Sequence, residues 1–359
     1  MIITRTPFRI SFFGGGTDFP AWYKQHGGTV LATTIDKYCY LTTRYLPPFF
    51  EHKYRVVWSK IELGNKIDDI MHPAVPAIVK HVGIERGLEI HHVGDLPARS
   101  GMGSSSSFTV GLLNSLYALK GKMPSKVQLA TETIHLEQEV LQETVGSQDQ
   151  VCAAYGGFNR ITFLPHGEIA VVPVTLSRDR FSELNSNLML FYTGIVRTSS
   201  QIADSFAGDL ESRKRQLRIM KDLVEEAVTI LNSDCDISAF GTLLREAWDA
   251  KRSLSGAISN SHIDSMFEAA YRAGALGGKI TGAGGGGFLL LFVPPANQAR
   301  VKQALNKLLH VPFRFEFSGS QVIFAEPEND YKDAEVVRTT QAIEPFREVA
   351  LQKQVEILR

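Results

Sequence analysis

Leu96-Pro97-Ala98-Arg99-Ser100-Gly101-Met102-Gly103-Ser104-Ser105-Ser106-Ser107 is the stretch on which the reading of this chain turns. Gly101 and Gly103 let the backbone approach a ligand closely. The serines open a segment with helical spacing, Phe108 to Lys120, in which Leu112, Leu113 and Leu116 share a stripe and Gly121 marks the stop. Ser104 or Ser105 is therefore expected near the N-cap. A helix start offers unpaired N–H groups and the positive end of the dipole, a combination that suits phosphate. A serine hydroxyl there can also face Mg²⁺, which takes oxygen ligands and keeps waters. Taken alone, the stretch reads equally as a Ser-capped helix behind a flexible loop.

Upstream, Ile2 to Phe13 alternates like a strand and breaks at Gly14-Gly15-Gly16. Thr29 to Tyr45, rich in Val, Ile, Thr and Tyr, and Gly87 to Val93 read as further strands. Downstream, Ser125 to Val145 reads as a second helix and Gly156-Gly157 closes this half. Short strands follow at Ile169 to Val174 and Leu188 to Tyr192. Three apolar helical stripes come next: Leu217, Met220, Val224, Val228 and Leu231; Phe240, Leu243, Leu244, Ala247 and Trp248; Ile263, Met266, Phe267 and Ala270. Strands at Phe288 to Val293 and Gln321 to Ala325 complete the pattern. Strands and helices without regular alternation predict an α+β fold. The division expected is 1–165, 166–338 and a helical tail, 339–359, carrying Val349, Leu351, Val355 and Leu358. The tail leaves packing on the body or on a second copy, as a homodimer, equally open.

Across all 359 residues, 38 Lys+Arg balance 38 Asp+Glu, so composition gives no sign of nucleic acid or a membrane surface as partner. Cys39, Cys152 and Cys235 are too few and scattered for a disulfide framework or a zinc site. The N-terminus lacks the features of a secretory signal, and the longest apolar run, Phe288 to Pro294, is far short of the ~20 residues that cross a bilayer. The expectation is a soluble, cytoplasmic protein acting on small molecules.

Three more segments carry candidate chemistry. Glu137 sits at the edge of an apolar stripe between Ile134 and Leu141, as a solvated edge residue or as a metal ligand held against the core. Asp149, in Val145-Gly146-Ser147-Gln148-Asp149-Gln150, is either a turn aspartate or a carboxylate aimed at a substrate hydroxyl. Gly277-Gly278-Lys279-Ile280-Thr281-Gly282-Ala283-Gly284-Gly285-Gly286-Gly287 contains G-x-G-x-x-G, but an apolar strand follows it where a dinucleotide fingerprint needs a helix. Its glycines exceed what one turn requires and favour close backbone contact with a ligand. In Pro7-Phe8-Arg9-Ile10-Ser11-Phe12-Phe13-Gly14-Gly15-Gly16-Thr17-Asp18, a strand delivers Arg9 and a glycine turn delivers Asp18. Arg9 is expected to offset charge on a phosphoryl group, and Asp18 to accept from sugar hydroxyls. G-x-x-x-x-G-K-[ST] and the H-R-D and D-F-G motifs are absent, which excludes P-loop NTPases and protein kinases.

In this order the segments resemble the GHMP kinase superfamily, whose second motif, P-x-x-x-G-L-G-S-S, is matched by Pro97 to Ser105 with Met102 in place of Leu. The first motif corresponds to the Arg9–Asp18 segment and the third to Lys279 through Gly287. The resemblance implies an N-terminal ribosomal-protein-like α/β domain with a left-handed βαβ element and a C-terminal ferredoxin-like domain. It further implies ATP on Pro97 and Ser100 through Ser107, and Mg²⁺ on Glu137 with Ser104 or Ser105. Asp149 would orient or deprotonate an acceptor hydroxyl, with Arg9 assisting. Gly15, Gly16, Thr17, Asp18, Gly284 and Gly285 would contact the acceptor. Galactokinases carry Glu-His where Gly15-Gly16 stands here, leaving room for a bulkier sugar. Within the superfamily the text looks most like the kinases that phosphorylate the C1 hydroxyl of D-glycero-D-manno-heptose 7-phosphate, on the route to GDP-heptose and surface polysaccharide. A fucokinase-like sugar 1-kinase, a non-catalytic ATP and sugar binder, and an ATP-dependent decarboxylase are the competing readings. A phosphorylated sugar needs a second anion site, for which Arg197 and Lys37 are candidates, though each is also an ordinary surface cation.

Overall fold

The structure is a computed structural model, describing residues 1–195, 212–327, 331–341 and 344. Two long strands, β1 (Ile2–Phe13) and β2 (Gly28–Tyr45), form the spine of a nine-stranded sheet. They run antiparallel from Ile2 opposite Thr43 to Phe13 opposite Leu31. The register slips between Pro7 and Phe8, where proline has no N–H to give the ladder, and again between Ser11 and Phe13. Beyond the first slip, the Arg9 amide donates to the Met102 carbonyl, so one edge of the strand docks the glycine-serine loop while the other stays on β2.

On β2 lie β5 (Leu88–Gly94) and β6 (Phe158–Phe163); β7 (Ile169–Pro173) continues from β6. Outside β5 run β3 (Tyr54–Val57) and β4 (Ile61–Gly64). Among the described residues the β3–β5 pair is the one parallel pairing. Its connection carries helix α2 (Val75–Val82), as parallel strands require a crossover.

Helix α3 (Ser104–Leu119) is buried without a break from Ser106 to Leu116 and lies on the β1–β2 spine. Gly111 permits that approach, since a Cβ there would stand 2.8 Å from Thr6 Oγ1. Helix α4 (Lys126–His135) starts at Ser125, whose hydroxyl accepts from the Gln128 amide, and widens into a π turn over Leu136–Val140. Helix α5 (Gln148–Tyr155) follows.

The second layer is a four-stranded antiparallel sheet, β11–β8–β10–β9 (Leu309–His310, Leu188–Tyr192, Phe288–Phe292, Gly277–Ile280). Helix α6 (Arg178–Ser186) leads into it. Its companion helices are α7 (Lys214–Asn232), α8 (Ser238–Arg252) and α9 (Ser261–Arg272), whose buried residues follow the three apolar stripes except Val228, which is only partly covered. Phe240 on α8 meets Phe12 and Phe13 at ring-centroid distances of 5.5 and 5.2 Å and welds the layers where β1 ends.

Residue 165 falls in the loop of the β6–β7 hairpin, and the chain returns late to the first sheet: β12 (Phe315–Glu316) pairs with β2 and β13 (Gln321–Ala325) with β1. The physical reason is the open edge of a long strand, whose unpaired N–H and C=O groups need a partner. Helix α10 (Gln298–Ala304) precedes this return, and α11 (Lys332–Gln341) follows it, with Arg338 donating to the Pro48 carbonyl. The expected tail thus overlaps α11, while its apolar residues from Val349 to Leu358 lie outside the described residues. Among the described residues no helix is long and apolar enough to cross a membrane.

Candidate active site

One cavity of about 310 Å³ opens where β1, the α3 start, the π turn, the α5 start, α8 and the glycine tract converge. Its floor is the Arg99–Gly103 loop, with Arg99, Gly101 and Gly103 at φ 58°, 76° and 74°. The N-cap of α3 is Gly103, not a serine, and no side chain caps the first turn. Those first amides are therefore left for an anion. The cap position sets the phase of the four serines, which step about 100° apart around the helix. Ser104 Oγ accepts from the Arg99 amide at 3.2 Å, Ser105 is exposed, and Ser107 donates to the Pro7 carbonyl at 3.0 Å. The hydroxyl that meets Glu137 belongs to Ser106, one or two positions past the serines singled out from sequence. Ser100 is buried with its hydroxyl unpartnered, Met102 fills the core below, and Pro97 stands outside the cavity wall.

Glu137 is fully buried inside the π turn, a feature that often marks functional positions. Its Oε2 accepts from Ser106 Oγ at 2.9 Å and from Gln150 Nε2 at 2.5 Å; its Oε1 has no hydrogen-bond partner among the described residues. Burial pushes the Glu137 carboxyl up to about 8. No group of three or more His, Cys, Asp or Glu suited to a metal exists among the described residues. A single carboxylate with one orphan oxygen, flanked by a hydroxyl, is instead the donor set that suits Mg²⁺ carrying phosphate and water.

Asp149, in the first turn of α5, is gripped by Arg9: Nε donates to Oδ1 and Nη2 to Oδ2, both at 2.7 Å. Arg9 Nη1 donates to the Gly101 carbonyl, also at 2.7 Å, so the guanidinium ties the acid to the loop. A Cβ on Gly103 would stand 3.4 Å from Asp149 Oδ2, which puts the carboxylate directly over the α3 start.

The Gly14–Asp18 turn forms the adjoining wall. Asp18 is buried; its Oδ1 accepts from the Gly16 amide at 2.8 Å and its Oδ2 from the Gln148 amide at 3.4 Å. Burial raises its pKa. Gly15, Gly16 and Asp18 line the cavity, whereas the Thr17 hydroxyl is spent inside the turn, donating to the Gly14 carbonyl at 2.8 Å and accepting from the Thr29 amide at 3.1 Å. Ser11 Oγ and Gln148 Oε1, both on the cavity wall, have no hydrogen-bond partner among the described residues. Sequence reading passed over them because a serine in a strand and a glutamine before an aspartate carry no signature.

The glycine tract packs on protein more than on the cavity. Gly282 presses on Gly101, Gly284 on Ile258 and Gly287 on the Ser100 carbonyl, with hypothetical Cβ contacts of 2.6, 2.9 and 2.2 Å. The Gly285 amide donates to the Ile258 carbonyl at 2.8 Å. Gly284 and Gly285 therefore stand away from the cavity, and the residues of the tract on its wall are Lys279, Gly282 and Ala283. Lys37 is likewise elsewhere, with Nζ on the carbonyl and carboxylate of Asp36 at 3.0 and 3.1 Å. Arg197 lies outside the described residues.

Two cavity cations were given no role from the sequence: Lys251 on α8, and Lys279 on β9, which was quoted only as part of the glycine tract. A signal existed for the first: Lys251 extends the buried stripe of Ala247 and Trp248 by a helical turn.

An uncapped helix start, an acid held above it and a buried carboxylate with an orphan oxygen form an arrangement that suits phosphoryl transfer. The sequence matches the GHMP kinases N terminal domain over residues 69–157 and the GHMP kinases C terminal domain over residues 220–311. It is 30% identical over 318 residues to the D-glycero-alpha-D-manno-heptose 7-phosphate kinase of Campylobacter jejuni, covering 85% of this chain and 93% of that one. It is 26% identical over 329 residues to the bifunctional fucokinase/GDP-fucose pyrophosphorylase of Arabidopsis thaliana, covering 82% of this chain and 30% of that one. The solved structure of a D-glycero-D-manno-heptose 1-phosphate kinase from Bacteriodes thetaiotaomicron aligns with TM-score 0.73 at 24% identity, over 90% of this chain and all of that one. The chain belongs to the GHMP kinase family and has its fold. Its chemistry is ATP-dependent phosphoryl transfer.

Proposed function

We propose that this kinase transfers the terminal phosphoryl group of ATP to the anomeric C1 hydroxyl of D-glycero-D-manno-heptose 7-phosphate, giving the 1,7-bisphosphate and ADP. The observation that carries transfer to a hydroxyl is the Asp149 carboxylate, 3.4 Å from a Cβ position on Gly103 at the mouth of α3. The acceptor identity is supported by 30% identity to the Campylobacter enzyme across nearly its whole length. On this reading the enzyme works in the cytoplasm, and its product feeds the route to GDP-heptose and surface polysaccharide.

The α3 amides and the Gly101–Gly103 loop hold the ATP phosphates. Glu137 Oε1 and the Ser106 hydroxyl would hold Mg²⁺, which when bound spreads the charge of the β- and γ-phosphates. Asp149 accepts a hydrogen bond from the C1 hydroxyl and aims its oxygen in line. An anomeric hydroxyl is more acidic than an ordinary alcohol, so aiming counts for more than base strength. Arg9 is already bound to Asp149 and Gly101, so its part is to hold the acid oriented. Asp18, Ser11 and Gln148 receive the sugar hydroxyls, with Gly15 and Gly16 leaving the ring its space.

A neutral-sugar 1-kinase is the second reading, favoured by the 26% identity to the Arabidopsis fucokinase and by Lys37 standing away from the cavity. The test is phosphate transfer from ATP to a panel of sugars and sugar phosphates, with NMR locating the new ester. The heptose 7-phosphate is expected to exceed neutral heptose, fucose and galactose by ~10²-fold or more in kcat/KM, with the ester at C1. Equal turnover of heptose and its 7-phosphate removes the phosphosugar assignment; no transfer to any sugar removes the sugar kinase.

A further inference from the structure

We propose that Lys251 and Lys279 together form a subsite for a phosphoryl oxyanion on the wall of the cavity made by α8 and β9. The inference rests on the kinase reading for the identity of the anion, and on the structure for the site itself.

Both side chains are almost completely buried, at 5% and 4% exposure, yet both line the cavity. Lys251 Nζ donates to the Gly282 carbonyl, and Lys279 Nζ donates to the Phe12 carbonyl at 2.8 Å. Neither makes an ion pair among the described residues. An ammonium has three N–H donors, so each head keeps two for a ligand. Two buried cations with no ion pair among the described residues are costly unless an anion joins them. Burial depresses both lysines, Lys251 to about 8; Arg9 adds repulsion to each and Lys251 adds it to Lys279, while Asp18 acts on both in the opposite sense.

The carbonyl that Lys251 holds belongs to the glycine that presses on Gly101. The site therefore adjoins the loop that faces α3, on the same side as Arg9 and Asp149. Arg9 commits three of its five N–H donors, Nε and Nη2 to Asp149 and Nη1 to Gly101, so its charge is already shared with an acid. Among the described residues Lys251 and Lys279 are buried cavity cations that no ion pair neutralises. Phosphoryl charge has two sources in the reaction: the group in transit from ATP, and the phosphate the acceptor already bears.

The test uses the full chain with Lys251→Met, Lys279→Met and Lys251→Arg. Thermal unfolding is followed with and without inorganic phosphate, and kinetics are measured with heptose and with heptose 7-phosphate. Wild type and Lys251→Arg are expected to gain stability with inorganic phosphate, and the two Met variants to lose that gain. A kcat loss of ~10²-fold with both acceptors assigns the subsite to the phosphoryl in transit. A KM rise of ~10²-fold confined to the 7-phosphate assigns it to the acceptor. Met variants that keep the wild-type response to phosphate and keep kcat and KM for both acceptors within twofold overturn the subsite. Should the Met variants fail to fold, a wild-type crystal soaked in inorganic phosphate decides, since the anion must lie within hydrogen-bond distance of both Nζ atoms. A wild type that phosphorylates neither acceptor would overturn the proposed function, while the phosphate-dependent stability would still report on the lysines.

Discussion

Arg9 and Asp149 meet as a planar two-point pair, although 140 residues separate them along the chain. The strand supplies the cation, the α5 start supplies the acid, and the Gly101 carbonyl fixes the third corner. Asp149→Asn removes the charge and keeps the shape. It is expected to leave ATP affinity within a fewfold and to lower turnover by about two to four orders of magnitude. Single-turnover kinetics check this, and unchanged turnover takes Asp149 out of the reaction.

Arg9→Lys is expected to act through Asp149. A lysine cannot reproduce the two parallel bonds, so the carboxylate loses its fixed aim. Turnover should fall ~10-fold or more with ATP affinity preserved. A larger loss of ATP affinity than of turnover would instead make Arg9 a phosphate ligand, the part first expected for it.

Thr17 was expected to touch the acceptor, and the structure spends its hydroxyl inside the turn. Thr17→Val should therefore cost stability, about 1–3 kcal/mol for the partners left buried. KM for the sugar should shift only as far as Asp18 moves. A KM effect with unchanged thermal stability would return Thr17 to the binding surface.

The local parts of this site were legible in the sequence, and the long-range parts were not. Glycine and serine spacing announces the α3 start and the Gly14–Asp18 turn because backbone freedom and helix capping are local properties. Which serine meets Glu137 depends on helix phase, and that phase shifted when Gly103 took the cap. The glycine tract was read as a place of close backbone contact with a ligand, and in the structure Gly284 and Gly285 contact Ile258. Ligand and protein backbone make the same demand on a missing Cβ. Lys251 drew no reading, because only its neighbours show that a lysine one turn past a buried stripe is itself buried. The return of β12 and β13 to the first sheet is a pairing over hundreds of residues, which no local pattern encodes.

Glu137 gives the reaction a pH signature whose sign follows from its burial. In the metal-free fold its carboxyl is pushed up to about 8, against 4.5 for an ordinary glutamate. Between those values the folded chain holds a proton that the unfolded chain has released. The Glu137 contribution to stability is complete below about pH 4.5 and is lost as pH rises toward 8, by roughly 1 kcal/mol per pH unit. Mg²⁺ requires the ionised form, so its binding must expel that proton. Its apparent affinity should climb by nearly tenfold per unit well below pH 8, more slowly as pH nears 8, and then level off. Glu137→Gln removes the charge while keeping the contacts to Ser106 and Gln150 within reach. This variant should unfold at a higher temperature than wild type at pH 8.5 without metal, gain nothing from Mg²⁺, and lose most activity. Thermal unfolding from pH 5 to 8.5, with and without Mg²⁺, reads all three expectations. A wild-type midpoint that rises with pH across this window, with the same slope in Glu137→Gln, would show that Glu137 is ionised without metal and that its orphan oxygen has another use.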